Sequence, residues 1–169
     1  DDRTSPPVDV ESGGAATALW LPRVARDSPV FFVRVELSDA TGHLVTDSTY
    51  WQSQRGDDVG DPGNDQAFEL RPARWADMTS LNTMPRGRLE VTARRTTDGV
   101  AIRLHNPGRG VAFFSRAELT SGPAADEILP ITYTDNYVTV YGGETVEILG
   151  QPLTDSPRAD WVRVTGYNT

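Results

Sequence analysis

An all-β fold of immunoglobulin-like β-sandwich type is what this sequence predicts, and three observations carry the prediction. Apolar and polar residues alternate with period 2 in several short runs, the period of a strand with one buried face. Turn-forming Gly, Pro, Asn and Asp separate these runs at close intervals. No stretch sustains the 3.6-residue periodicity of a helix, so two packed sheets are the economical arrangement and a closed barrel is the lesser choice.

Ser5-Pro6-Pro7 reads as an extended lead-in, Val8 to Val10 as a short strand, and Ser12-Gly13-Gly14 as a turn before a second strand, Ala16 to Leu21. Phe31, Val33, Val35 and Leu37 then alternate with Phe32, Arg34, Glu36 and Ser38, and the first set is expected to face inward. Asp39-Ala40-Thr41-Gly42 turns the chain into Leu44 to Trp51, giving a hairpin over 30–51. About four strands fall short of the roughly seven of a complete immunoglobulin-like sandwich. Residues 1–52 therefore read as the C-terminal part of a sandwich domain, with an inner face that lacks its opposing strands.

Residues 53–87 change character, because Gly56, Gly60, Pro62, Gly63, Pro72 and Pro85 interrupt any regular pattern. A connection of this length is expected to hold some order. A helical turn around Ala76 to Leu81 fits, with Trp75, Met78 and Leu81 on its buried side.

Residues 88–169 read as a complete sandwich of seven strands. Leu89 to Arg94 and Val100 to Leu104 form a hairpin about Asp98-Gly99, a dipeptide suited to the positive φ of tight hairpin turns. Asn106-Pro107-Gly108 ends it. Further strands are expected at Val111 to Thr120, Ile128 to Thr134, Tyr137 to Tyr141, Glu144 to Leu149 and Trp161 to Tyr167. Turns fall at Gly122-Pro123, Asp135-Asn136, Gly142-Gly143 and Thr154 to Pro157.

Composition narrows the function classes. A formal charge of −8 in 169 residues argues against nucleic-acid binding, which needs clustered cations. All 16 basic residues are Arg, spread along the chain in a way that suggests GC-rich coding rather than a recognition patch. With no Cys, disulfides, Cys-based zinc sites and Cys nucleophiles are unavailable. No window reaches the roughly 20 apolar residues of a membrane span, and Asp1-Asp2-Arg3 has no signal-peptide core, so any export signal is expected to have been removed or to lie upstream.

Candidate chemistry is sparse. The acidic loop Asp57-Asp58-Val59-Gly60-Asp61-Pro62-Gly63-Asn64-Asp65 has oxygens for calcium but lacks EF-hand spacing, and solvated turn residues are the favoured reading. His43 and His105 lie in no metal or nucleophile pattern, and His105 falls in the outward set of its strand. Trp51, Trp75, Tyr133, Tyr137, Tyr141 and Trp161 could stack on sugars or anchor cores. Asp135-Asn136-Tyr137 sits between apolar runs, where Asn or Asp can bond its own backbone and adopt left-handed conformation. The residues retained for carbohydrate or interdomain contact are Trp51, Trp75, Tyr133, Asp135, Asn136 and Tyr137. No catalytic, cofactor-binding or metal residue is assigned.

Three ordered segments carry a family resemblance: "ADMTSLNTMP", "HNPGRGVAFFSRAEL" and "ILPITYTDNYVTVYGGETVEI". Together they resemble the C-terminal immunoglobulin-like region of glycoside hydrolase family 2 exo-β-glucosaminidases and β-mannosidases, with the exo-β-glucosaminidase branch the closer. The upstream "FFVRVELSDATGHLVTDSTYW" resembles the last hairpin of the preceding sandwich, with Tyr50-Trp51 as its closing aromatic pair. The resemblance implies catalytic carboxylates on a separate upstream barrel, none of them in this chain. It also implies a secreted, non-catalytic accessory region that packs on that barrel in cis or as a separate cleaved chain and shapes a cleft for chitosan-type substrates. A stand-alone carbohydrate-binding or adhesion-type module, with oligosaccharide as partner, is the alternative.

Overall fold

The structure, a computed structural model, describes residues 2–21, 28–60, 72–153 and 158–169. Nine strands form among them: β1 Val30–Ser38, β2 Leu44–Ser53, β3 Glu90–Arg95, β4 Val100–His105, β5 Ala112–Thr120, β6 Ile131–Tyr133, β7 Val138–Val140, β8 Thr145–Pro152 and β9 Trp161–Thr165. The chain is all-β, and its only helix among the described residues is a short 3-10 segment, Thr79–Thr83. It divides into two compact units, one of Asp1–Phe31 with Gln52–Met78, the other of Phe32–Trp51 with Thr79–Thr169. The body of the first hairpin groups with the C-terminal strands.

Seven strands of the second unit make the sandwich. One sheet has the order β3-β4-β8-β6 and the other β7-β5-β9. The period-2 rule holds on β4, where Val100, Ile102 and Leu104 are buried and Arg103 between them is exposed. They meet Ala112, Ala117, Leu119, Val138 and Val140 from the facing sheet, with Ile148 of β8 beside them. β3 pairs with β4 from Glu90↔His105 to Arg95↔Val100, yet all its residues are exposed. It is an edge strand, and Leu89 just before it reaches the core instead.

The β3–β4 turn is centred one residue earlier than expected. The Thr96 N–H donates to the Gly99 carbonyl at 2.8 Å, placing Thr97-Asp98 at the tip. Gly99, at φ 149°, is required for another reason: a Cβ there would meet the Gly150 carbonyl oxygen on β8 inside any permitted contact.

The β1–β2 hairpin forms where expected. Asp39 builds its turn, its carboxylate accepting the Thr41 N–H at 2.8 Å and the His43 N–H at 3.0 Å, with Gly42 at φ 86°. The two faces are half-buried alike from Phe31 to Arg34 and exposed alike beyond. Val35 and Leu37 are 53% and 57% exposed, while the Phe32 ring packs edge-on against Phe113 at 5.0 Å. Arg34, on the Phe32 side, lies within 2.7 Å of Glu144, 2.9 Å of Glu36 and 3.1 Å of Asp47. Partial burial opposes its charge, but Glu144, Asp47 and Glu36 outweigh it and raise the guanidinium pKa. Alternation alone cannot say which face meets the terminal sandwich when both begin with Phe; Phe113 and Glu144 there take up Phe32 and Arg34.

In the first unit the expected strands at Val8 to Val10 and Ala16 to Leu21 do not form. These residues are exposed and bonded to no partner strand among the described residues, and a strand without a ladder is not a stable element. The intervening turn does form, with Gly13 at φ 74° and the Gly14 N–H on the Glu11 carbonyl. The helical turn lies at 79–83 rather than 76–81; Leu81 is buried, but Trp75 is exposed. The expected turn at 154–157 lies outside the described residues.

Candidate interaction surface

The candidate surface belongs to the second unit and starts with an irregularity in β5. This strand pairs with β7 at Ala112↔Val140 and Ser115↔Val138, and the register shifts between those pairs. The extra residue of such a bulge turns a side chain off its expected face. Phe113 stays buried, and Phe114 at φ 55° points outward.

After β7 ends, side chains continue the hydrogen-bonding edge of β5. Asn136 Oδ1 accepts the Ala117 N–H at 2.8 Å, and its Nδ2 donates to the Ala117 carbonyl at 2.9 Å. One amide thus replaces a strand partner on both counts. Two residues on, the Leu119 N–H donates to the Tyr133 hydroxyl at 2.9 Å, and that hydroxyl donates to Glu127 at 3.1 Å. Burial and the nearby carboxylates push the Tyr133 pKa up to about 12, although the Leu119 N–H works the other way. Asp135 accepts the Asn136 N–H at 2.7 Å and shapes the turn. Tyr137 takes the left-handed conformation at φ 56°, where Asp135 or Asn136 was expected to do so. Asn136 instead spends its side-chain amide on Ala117.

Phe114 and Tyr137 are the two non-glycine residues with positive φ among those described, and their rings lie 5.1 Å apart. Trp51 sits edge-on to both Phe113, at 5.1 Å, and Phe114, at 5.8 Å. The Tyr167 ring also packs on Phe113, with centroids 5.6 Å apart. Arg116 lies over the Tyr137 ring at 5.9 Å and is anchored by Glu118 at 2.9 Å and Glu127 at 2.5 Å. Trp51, Phe114 and Tyr137 remain 38%, 40% and 49% exposed, so they form a continuous aromatic ridge.

Of the six residues singled out in the sequence, Trp51 and Tyr137 are joined through Phe114, and Tyr133, Asp135 and Asn136 order the edge beneath them. Trp75 lies in the other unit. Phe114 and Arg116 were not singled out. The Phe113-Phe114 doublet carried a signal, because two adjacent bulky apolar residues break the alternation of a half-buried strand and point to a bulge.

Elsewhere, Asp57 accepts the Ala76 N–H at 2.7 Å and Asp58 the Gly60 N–H at 3.2 Å, so the described part of the acidic loop caps turns. Residues 61–65 lie outside the described residues. His105 Nδ1 is 3.1 Å from the Thr145 hydroxyl and from the Glu144 carbonyl, and His43 Nδ1 is 2.9 Å from the Thr41 hydroxyl.

Residues 67–169 match the family model of the exo-β-D-glucosaminidase Ig-fold domain, well over half of the chain. The chain belongs to this family. An exo-β-D-glucosaminidase of Arthroderma benhamiae is 31% identical over 145 residues, 85% of this chain and 16% of the relative. One from Streptomyces avermitilis is 30% identical and covers 99% of this chain and 20% of the relative. The crystal structure of an Amycolatopsis orientalis exo-chitosanase superimposes with a TM-score of 0.77 at 25% identity, covering 93% of this chain and 19% of that one. The Ig-fold chain thus spans only about a fifth or less of the length of these relatives.

Proposed function

We infer that this chain is the non-catalytic accessory region of a larger, secreted exo-β-glucosaminidase that acts on chitosan-type substrates. The observation that carries the reading is the match to the Ig-fold family joined to a span of 16 to 20% of the matched relatives. The catalytic carboxylates would then stand on an upstream barrel, and this region would pack on the barrel and hold the shape of its cleft. Residues 1–52 would complete a preceding sandwich, which accounts for the bare Val35 and Leu37 on a two-stranded sheet too small to stand alone. Residues 53–87 would connect it to the terminal sandwich of 88–169.

The test compares three proteins on glucosamine oligosaccharides: the isolated chain, the whole parent, and the parent shortened by this chain. No hydrolysis is expected from the isolated chain, and the shortened parent should melt earlier and lose kcat/KM. Turnover by the isolated chain would sink the reading. Heat of binding to glucosamine oligomers, with the shortened parent unimpaired, would instead favour a stand-alone carbohydrate-binding module. Export is checked by whether the parent accumulates in the culture medium of its source cells.

A further inference from the structure

We propose that the ridge of Phe114 and Tyr137 on the terminal sandwich, joined by Trp51 of the hairpin that packs on it and flanked by Arg116, is the anchor by which the second unit seats in an apolar recess of a further domain of the same polypeptide. This deepens the accessory reading and rests on it. Two left-handed, non-glycine residues cost backbone strain, and such strain persists only where the surroundings enforce it. Here the enforcement is explicit. The β5 bulge turns Phe114 out, and the two bonds from Asn136 to Ala117 fix the turn that presents Tyr137. A fold seeking only a core would have turned these rings inward.

Ring geometry selects the class of occupant. Trp51 and Phe114 meet at 77° and Phe114 and Tyr137 at 45°, so no two rings share a plane on which successive sugar units could stack. Such a knuckle fits a concave protein surface. Trp, Tyr and Arg are the residues that dominate protein–protein anchors, and rings already held in place lose little freedom on docking. The Arg116 charge is answered within the chain by Glu118 and Glu127, so seating it requires no carboxylate from the partner. A partner domain is at hand if the parent resembles its relatives, since the matched segment accounts for only 19% of the exo-chitosanase chain.

Hydroxyl-radical footprinting read by mass spectrometry tests this, comparing the isolated chain with the whole parent polypeptide. Trp51, Phe114 and Tyr137 are expected to label at least about fivefold more slowly in the parent, as burial at an interface core requires. Equal labelling of the three rings, with other parts of the terminal sandwich protected, would overturn the anchor and leave the accessory reading standing. No protection anywhere in the sandwich would overturn both. Equal protection of the rings in the isolated chain by a glucosamine hexamer would overturn the anchor in favour of a sugar face. Tyr137→Asn, which suits a left-handed residue, keeps the test independent of folding. With the isolated chain's melting midpoint unchanged, it should restore Trp51 labelling in the parent, and continued protection of Trp51 would count against the anchor.

Discussion

The two compact units of this chain have no shortage of large apolar residues, and they use them oppositely. In the second unit Ile102, Leu104 and Ile148 are sealed between sheets. In the first, Trp20 and Trp75 are 84% and 70% exposed. What separates them is hydrogen bonding. Strands β3 to β9 satisfy their backbone along ladders, and a ladder holds a row of side chains on one face long enough to meet another row. Among the described residues the first unit has an isolated bridge, Asp58↔Arg74, and the ends of one hairpin. Apolar content without a ladder makes no core.

Truncating the core should show the contrast at its largest. Leu104→Ala is expected to cost the second unit about 2–5 kcal/mol by denaturant unfolding, the range for a buried leucine. Next comes Asn106, buried where β4 ends, whose Nδ2 donates to the Gly110 and Val140 carbonyls at 2.8 and 2.9 Å while its Oδ1 accepts the Gly108 N–H. Asn106→Ala strands these groups and should cost about 3 kcal/mol. A cost under about 1 kcal/mol would show that water replaces the amide.

Two titrations probe the same unit more gently. The hydrogen bond from Arg163, helped by the charges of Arg116 and Arg163, lowers the Glu118 pKa against its burial. Its folded pKa therefore lies below its unfolded value of about 4.5, so its stabilisation is present above that pH and lost as pH falls through the folded value. Melting midpoints should drop in acid, and Glu118→Gln should flatten that drop while lowering the midpoint at neutral pH. Tyr133 behaves in the opposite sense. Its raised pKa gives stability that is complete below pH 10 and lost as pH rises towards about 12. Tyr133→Phe should cost about 1 kcal/mol at neutral pH and abolish that alkaline loss. At the small end, Trp20→Ala should change stability by less than about 0.5 kcal/mol, the usual effect of an exposed site. A larger loss would mean the first unit is better built than its exposure suggests.

Much of this was legible in the residues. All seven strands of the terminal sandwich were readable, because inward Val100, Ile102 and Leu104 and the closely spaced turns are local signals. The edges of the reading were not. Val8-Asp9-Val10 and Ala16 to Leu21 have strand composition, but a strand also needs a neighbour, which no local pattern reveals. The hairpin showed two alternating faces, and the choice fell to Arg34, whose partner Glu144 lies 110 residues away. In the candidate surface, Tyr137 and Trp51 stand out in the sequence as aromatics at strand ends. Phe114 does not stand out, because its exposure depends on a bulge, and Tyr133 and Asn136 serve a backbone through their side chains.

That last arrangement has a consequence for how the domain keeps to itself. Where β7 stops, the edge of β5 would offer Ala117 and Leu119 as a docking rail for any passing strand. The Asn136 amide occupies both groups of Ala117. The Tyr133 hydroxyl occupies the Leu119 N–H, and the Ile128 N–H takes the Leu119 carbonyl at 2.9 Å. The rail is plugged by two side chains and by one isolated backbone bridge, Thr120↔Glu127, so Ala117 and Leu119 have no backbone group left to offer an incoming strand.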